Sequence, residues 1–240
     1  MTSARTAGNG IGCAALAAAA WSAPALAPVV PAVARGLRLP RRGAAGGVAL
    51  TFDDGPHPLG TPAVLEQLAA GGARATFFVV GEQVERHPEL ARRIVAEGHA
   101  LALHGHRHRN QLRLAPAVVA RDALRGRDAV ERATGIRCDV YRPAYGIVSA
   151  GSLPALRRAG LRVLLWSRWG RDWRRSTGPE RIAALTAAAA TAGDVLLLHD
   201  SDAYSEPGSW RDTAAALPQL LALLAASGLR ADTTVGAQRA

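Results

Sequence analysis

Two hydrophobic periods alternate along this chain. Short apolar runs of the β type are each followed by a longer stretch with apolar residues at helical spacing. The first run is Val48-Ala49-Leu50-Thr51-Phe52, and it ends in Asp53-Asp54-Gly55-Pro56, a strand running into a turn. Further strands are predicted over residues 75–80, 100–103, 140–141, 162–166 and 194–198. Helices are predicted over 61–70, 88–97, 116–134, 152–159, 179–192 and 213–226. Thr61 is the expected N-cap of the first helix, with Pro62 in its first turn, and Gly71-Gly72 end it. Gly98, Gly135, Gly160, Gly193 and Gly228 close the others.

Strands alternating with helices through short glycine-terminated joins imply an α/β fold, a parallel sheet with crossover helices. Six or so such units are enough to close into a barrel. Asp53-Asp54, His104, Arg142, Asp172 and His199 all follow predicted strand ends. Strand C-termini converge on one face of a barrel, so these residues are expected to form one site. There is no internal sequence repeat.

Composition adds limits. With 240 residues, 49% of them hydrophobic, the chain suits a single domain with a sizeable core. The formal net charge is +10, and every basic position is Arg. These residues are scattered, with no long like-charge run and no aromatic-interleaved basic stripe, so no nucleic-acid partner is expected. A coding bias towards Arg explains the charge better than affinity for an anionic polymer. Two cysteines, Cys13 and Cys138, exclude a disulfide framework and a Cys-based zinc site.

Residues 11–34 are almost wholly apolar or small, and Arg35, Arg38, Arg41 and Arg42 follow. The length allows a membrane span, but Pro24, Pro28 and Pro31 interrupt its second half. A secretory leader, a retained anchor and a mobile Ala/Pro segment are all open. Membrane association through residues 11–34, or export, is the expectation. It places the protein outside the cell or at the membrane, with the cytoplasm as the alternative.

The strand-end residues suggest chemistry in different degrees. Adjacent residues leaving a strand point different ways, so of Asp53 and Asp54 one can bind a metal while the other acts separately. The alternative is an Asp-Gly-Pro turn without chemistry. His104 and His108 stand four apart in HGHRH. A neutral His pair with a carboxylate is a common catalytic set for a divalent metal. A solvated basic loop is the alternative, since Arg107 and Arg109 flank it, and His106 leaves the pairing open. His199 ends the apolar run 195–198 and is either a core histidine or a general acid or base. Asp172 in RDW and Arg142 in YRPAYG each carry little alone.

Taken in order, TFDDGP, H-x-x-x-H, R-P-x-Y-G, D-W and L-L-H-D resemble the polysaccharide deacetylase family, carbohydrate esterase family four. The resemblance covers residues 47 to about 235 and extends through ATFFVVGEQVERHPELARRIVAEGHALALHGHRH between the motifs. It implies a distorted (β/α) barrel of about seven strands. Residues 46–240 would be the catalytic domain and residues 1–45 the leader, anchor or mobile segment. By the same resemblance Asp53 is the general base, and Asp54, His104 and His108 hold the metal. Arg142 holds the base by a charge-assisted hydrogen bond, and His199 is the general acid, tuned by Asp172. The backbone N–H of Tyr145 stabilises the oxyanion, and Trp173 and Leu197 wall the pocket for the acetyl methyl. His106 is left as a spare, exposed residue.

The resemblance further implies a monomer with a divalent cofactor, zinc first and Co2+ or Ni2+ next. The substrate would be an N-acetylated glycan, cleaved to acetate and a free amine. Peptidoglycan, chitin-like oligomers, an exopolysaccharide and a secondary-metabolite sugar all fit. A cyclic imide or ureide amidohydrolase of the same fold is the rival enzyme, and an inactive carbohydrate-binding module the rival from another class. Three departures stand out. Gly105 replaces the usual Ser or Thr, predicting the loss of one loop-bracing hydrogen bond; Ala144 replaces a frequent Pro; and WSRWGRDW is bulkier and more basic than usual, which bears on substrate fit.

Overall fold

The first apolar run lies at the centre of the sheet. The computed structural model describes residues 14–43 and 46–234. β1 (Val48–Asp53) is buried along its whole length. It runs parallel between β2 (Thr76–Val79) and β7 (Val195–His199). A parallel strand covered on both faces needs apolar residues at every position, not every second one. That is why VALTF and VLLL are legible in the sequence. The strand order is β5 (Arg162–Val163), β4 (Val140–Tyr141), β3 (Ala100–Leu103), β2, β1, β7 and β6 (Arg168–Trp169). β8 (Ala231–Asp232) joins beside the start of β1. Every pairing is parallel. The path ends at β5 and β6, so seven strands make a curled, incompletely paired barrel, as expected.

Register aligns the strand ends. Asp53 is opposite Phe78 on one side and His199 on the other. Leu103 is opposite Val79 and Tyr141, so His104 and Arg142 leave their strands at matching heights. The site is assembled by this alignment.

Seven helices follow the strands: α3 (Gly60–Ala70), α4 (Gly81–Arg86), α5 (Pro88–Ala96), α6 (Pro116–Thr134), α7 (Ser152–Arg158), α8 (Pro179–Ala187) and α9 (Ser209–Ala226). Proline opens α5, α6 and α8, where its missing N–H costs nothing, and Gly135 at φ 76° closes α6. Three expectations shift. Thr61 lies inside α3, and the His57 ring instead accepts the Leu59 and Gly60 N–H groups. The strand expected over 162–166 stops at Val163, because the Leu164 and Leu165 carbonyls turn to Arg142. The Ala-rich helix expected to 192 stops at Ala187, where the Ala188 and Ala189 carbonyls accept from Arg168.

Residues 14–22 form a helix, α1, and a 3-10 turn (Ala23–Leu26) and α2 (Pro31–Gly36) follow. Residues 14–43, set apart in the sequence, lie against the barrel, with Ala27, Ala34 and Leu39 inside the core cluster. Among the described residues no helix is long and apolar enough to cross a membrane. Cys13 lies outside the described residues. Cys138 is a buried free thiol whose pKa burial pushes up to about 12, far from reactive.

His99 sits just before β3 and is 1% exposed. Its Nδ1 accepts the Ala75 N–H at 3.3 Å, and its ring meets Phe77 edge-on. Burial, helped by Arg74, pulls its pKa down to about 4 from 6.5. The unfolded chain therefore binds a proton between those values that the native state refuses. This contribution to stability is complete above about pH 6.5 and is lost as pH falls towards about 4. His99→Asn keeps an acceptor near Nδ1 without the titration. Its Tm should fall less than that of the wild type over this range, measured by calorimetry in matched buffers.

Candidate active site

Asp53, the last residue of β1, is 3% exposed, and Arg142, directly after β4, is fully buried. Arg142 Nη1 donates to Asp53 Oδ1 at 2.6 Å and to Thr51 Oγ1 at 2.9 Å. Its Nε and Nη2 donate to the Leu164 and Leu165 carbonyls at 3.3 Å each. The guanidinium carbon lies 3.8 Å from the centre of the Phe78 ring. Thr51 passes its own hydroxyl hydrogen to Leu196 O at 2.7 Å. The cation is thus held on several sides, and it fixes one oxygen of Asp53. The other oxygen, Oδ2, faces His104 Nε2 at 3.8 Å.

Asp54 takes the left-handed backbone conformation at φ 79°, which turns its side chain away from the line of β1. Its Oδ1 lies 3.4 Å from His104 Nε2 and 3.5 Å from His108 Nε2. This oxygen is buried and has no hydrogen-bond partner. Two ligand atoms each about 2.1 Å from one tetrahedral ion stand about 3.4 Å apart. The three side chains therefore fit a small divalent cation. Burial drives the His108 pKa down to about 4, so its ring is neutral and offers a lone pair. Burial alone would raise Asp54, but the adjoining His104 imidazole and the charges of His199 and His108 bring it to about 2. An anion with two imidazoles suits zinc-like chemistry.

The HGHRH segment is a loop, not a helix, so its two ligands meet by backbone shape. Gly105 has φ 92°. The brace expected to be missing with Gly105 comes from α6: Asp122 Oδ2 accepts the His106 N–H at 3.0 Å and the Arg107 N–H at 3.2 Å. Gly126 lets α6 approach, since a Cβ there would come within 2.7 Å of the Gly105 backbone. His106 corrects the expectation of an exposed spare: it is 2% exposed, its ring packed on Gly81 with Nε2 3.8 Å from Glu85. Its alternation with the two ligands tucks it under the loop. Asp122→Ala should weaken metal binding about 10- to 100-fold, the usual effect of losing an outer support. Competition with a chromophoric chelator would measure it.

On the neighbouring strand β7, His199 Nδ1 lies 3.0 Å from Asp172 Oδ1, and the His199 N–H donates to Asp172 Oδ2 at 2.6 Å. Thr213 of α9 donates to the same Oδ2 at 2.9 Å. Burial lowers the His199 pKa, but Asp172, then Asp54 and Asp53, outweigh it and push it up to about 10. The Asp172 carboxylate thus favours the protonated ring.

Beside these groups lies a cavity of about 360 Å³ lined by Asp53, Asp54, His104, His108, His199, Tyr145, Trp173 and Leu197. All the expected residues line it except Arg142 and Asp172, which stand behind Asp53 and His199. Gly146, Trp166, Tyr204 and Ser205 complete it. Tyr145 has φ 60°; the adjacent Gly146 and Ile147 N–H groups bond to Pro143 and Ala144, leaving the Tyr145 N–H outside that pairing. A larger cleft of about 580 Å³ lies by β8 at the other end of β1 and contains none of the strand-end residues.

Two residues were not singled out from the sequence. Tyr204 stacks on the His108 ring at 4.3 Å and donates to Glu82 at 3.0 Å. It comes from a loop, where periodicity says nothing. Asp200 is fully buried, bonded by Thr61, and burial followed by the Asp54 charge raises its pKa to about 7. Gly55 makes room for it, since a Cβ there would collide with the carboxylate. Its position straight after His199 was the available clue.

A carboxylate–imidazole trio at strand ends, beside a buried Asp–Arg pair and a His–Asp pair, has the form of a metal-dependent hydrolase site on a (β/α) barrel. A family model, polysaccharide deacetylase, matches residues 41–164. The chain is 41% identical over 166 residues to a chitooligosaccharide deacetylase of Bradyrhizobium sp. (strain ANU 289), covering 69% of this chain and 75% of that one. It is 34% identical over 187 residues to a peptidoglycan-N-acetylglucosamine deacetylase of Bacillus cereus, covering 76% and 84%. Among solved structures, a family 4 carbohydrate esterase from Streptomyces lividans in complex with acetate superposes with a TM-score of 0.70 at 30% identity, covering 78% and 92%. The chain belongs to the polysaccharide deacetylase family.

Proposed function

We propose that this protein removes acetyl groups from N-acetylglucosamine units of a cell-wall or chitin-like glycan, using zinc held by Asp54, His104 and His108. One observation carries the reading: Asp53, His199 and the metal trio together line one cavity of about 360 Å³. The names of the relatives point to the same substrates.

The metal, when bound, supplies Lewis-acid polarisation of the acetamide carbonyl and acidifies a water. Asp53 accepts the proton of the attacking water, while Arg142 holds that carboxylate in place. The Tyr145 N–H donates to the oxygen that gains charge. The amine is a poor leaving group until protonated, and His199 gives it that proton; Asp172 holds the ring for the transfer. Trp173 and Leu197 close the space around the methyl group. Acetate and a free amine leave.

The test is acetate release from N-acetylglucosamine oligomers and from peptidoglycan, with the metal-stripped protein and its zinc-reloaded form side by side. Release that depends on zinc supports the reading. No release from any of these glycans by the reloaded protein would overturn it.

A further inference from the structure

The matched family region begins at residue 41, yet residues before it stand directly behind two residues that line the pocket, Gly146 and Trp166. β5 and β6 are the two ends of one extended stretch, residues 162–169. Its start pairs with β4 and its end with β7, so this single stretch crosses the barrel's open seam. In its middle, Leu165 and Trp166 turn backbone groups to the N-terminal segment. The Leu165 N–H donates to Pro40 O at 2.9 Å, and Arg41 Nε donates to Trp166 O at 2.8 Å. The next residues reach the base of β7: the Gly43 N–H donates to Gly193 O at 2.9 Å, and Arg42 bridges Asp194.

Leu165 is fully buried and Trp166 is 9% exposed. Without Pro40 and Arg41 their peptide groups would lose these partners inside the wall, and a buried polar group left unpaired is destabilising. Farther up the same segment, Pro28 seals the notch beside Gly146. A Cβ on Gly146 would stand 2.6 Å from both Pro28 Cγ and the Trp166 ring. Trp21 anchors the start, donating to Leu112 O at 3.2 Å, accepting the Ala150 N–H at 3.0 Å, and packing on Gly151.

We infer that residues 21–43 are a strap that closes the barrel seam and positions Gly146 and Trp166, and so sets how tightly the substrate is held. The inference rests on the deacetylase reading for its kinetic consequence only. None of the strap residues supplies a reacting group, so the strap acts on fit and leaves the proton transfers alone. Pro28 and Arg41 are its positioning residues, each acting on the wall at a different point.

The experiment uses the full chain. Pro28→Ala and Arg41→Ala are compared with wild type by hydrogen exchange over residues 144–148 and 164–167, and by steady-state acetate release from N-acetylglucosamine oligomers. The expected result is faster exchange in both segments. KM should rise about fivefold or more with kcat within about twofold, the pattern of lost uniform binding. Unchanged exchange in both variants would overturn the strap, as would wild-type KM in both, or a fall in kcat at constant KM. Should the wild type release no acetate, the deacetylase reading fails, and exchange alone decides the strap.

Discussion

Asp53→Asn lowers kcat for acetate release by about 10²- to 10⁴-fold, the range a positioned general base supplies, while the protein still takes up its metal. Asn keeps the shape of the side chain and an oxygen for Arg142, but it cannot carry a proton away from water. Its neighbour Asp54, not Asp53, faces both His104 Nε2 and His108 Nε2 within 3.5 Å, so metal affinity stays within a few-fold of wild type. Steady-state kinetics and a chelator titration on the same sample separate the two effects. Equal loss of metal and of activity would reassign Asp53 to the metal.

Arg142→Met has the largest effect on stability. Arg142 and Asp53 form a buried pair at 2.6 Å, and removing one partner strands the other charge away from water. Breaking such a pair costs about 3–5 kcal/mol. At roughly 2–4 °C per kcal/mol for a chain of this size, the Tm falls by about 10 °C. Asp53→Asn/Arg142→Met should be more stable than Arg142→Met alone, because the stranded carboxylate is gone. Thermal unfolding of the two single variants and the double variant gives the coupling directly. A double variant no better than Arg142→Met would mean that lost packing on Phe78, not charge, dominates.

Much of the site was legible because its residues sit at strand ends. Asp53, Arg142 and His199 each terminate or directly follow a buried, almost wholly apolar run. A parallel strand buried on both faces announces itself in sequence, and so does the polar residue that ends it. The family resemblance then separated Asp53 from Asp54. The structure supplies a physical reason for that separation: Asp54 is in the left-handed conformation and points elsewhere.

The rest depended on contacts between segments far apart in the chain. His106 reads like its neighbours in HGHRH, and only the approach of Gly81 and Gly126 buries it. The brace of that loop moved from position 105 to Asp122 on α6, which no local pattern can reveal. Tyr204 and Asp200 enter through a loop whose course is set by Glu82 and Thr61. The apolar N-terminal stretch reads alike whether it serves as leader, anchor or wall. By itself the sequence determined the strand–helix alternation and the order of the polar residues at its strand ends, because these follow from burial period and residue chemistry. Tertiary structure alone decided what braces those groups and what walls the cavity, because braces and walls are pairings across the chain that carry no periodic trace.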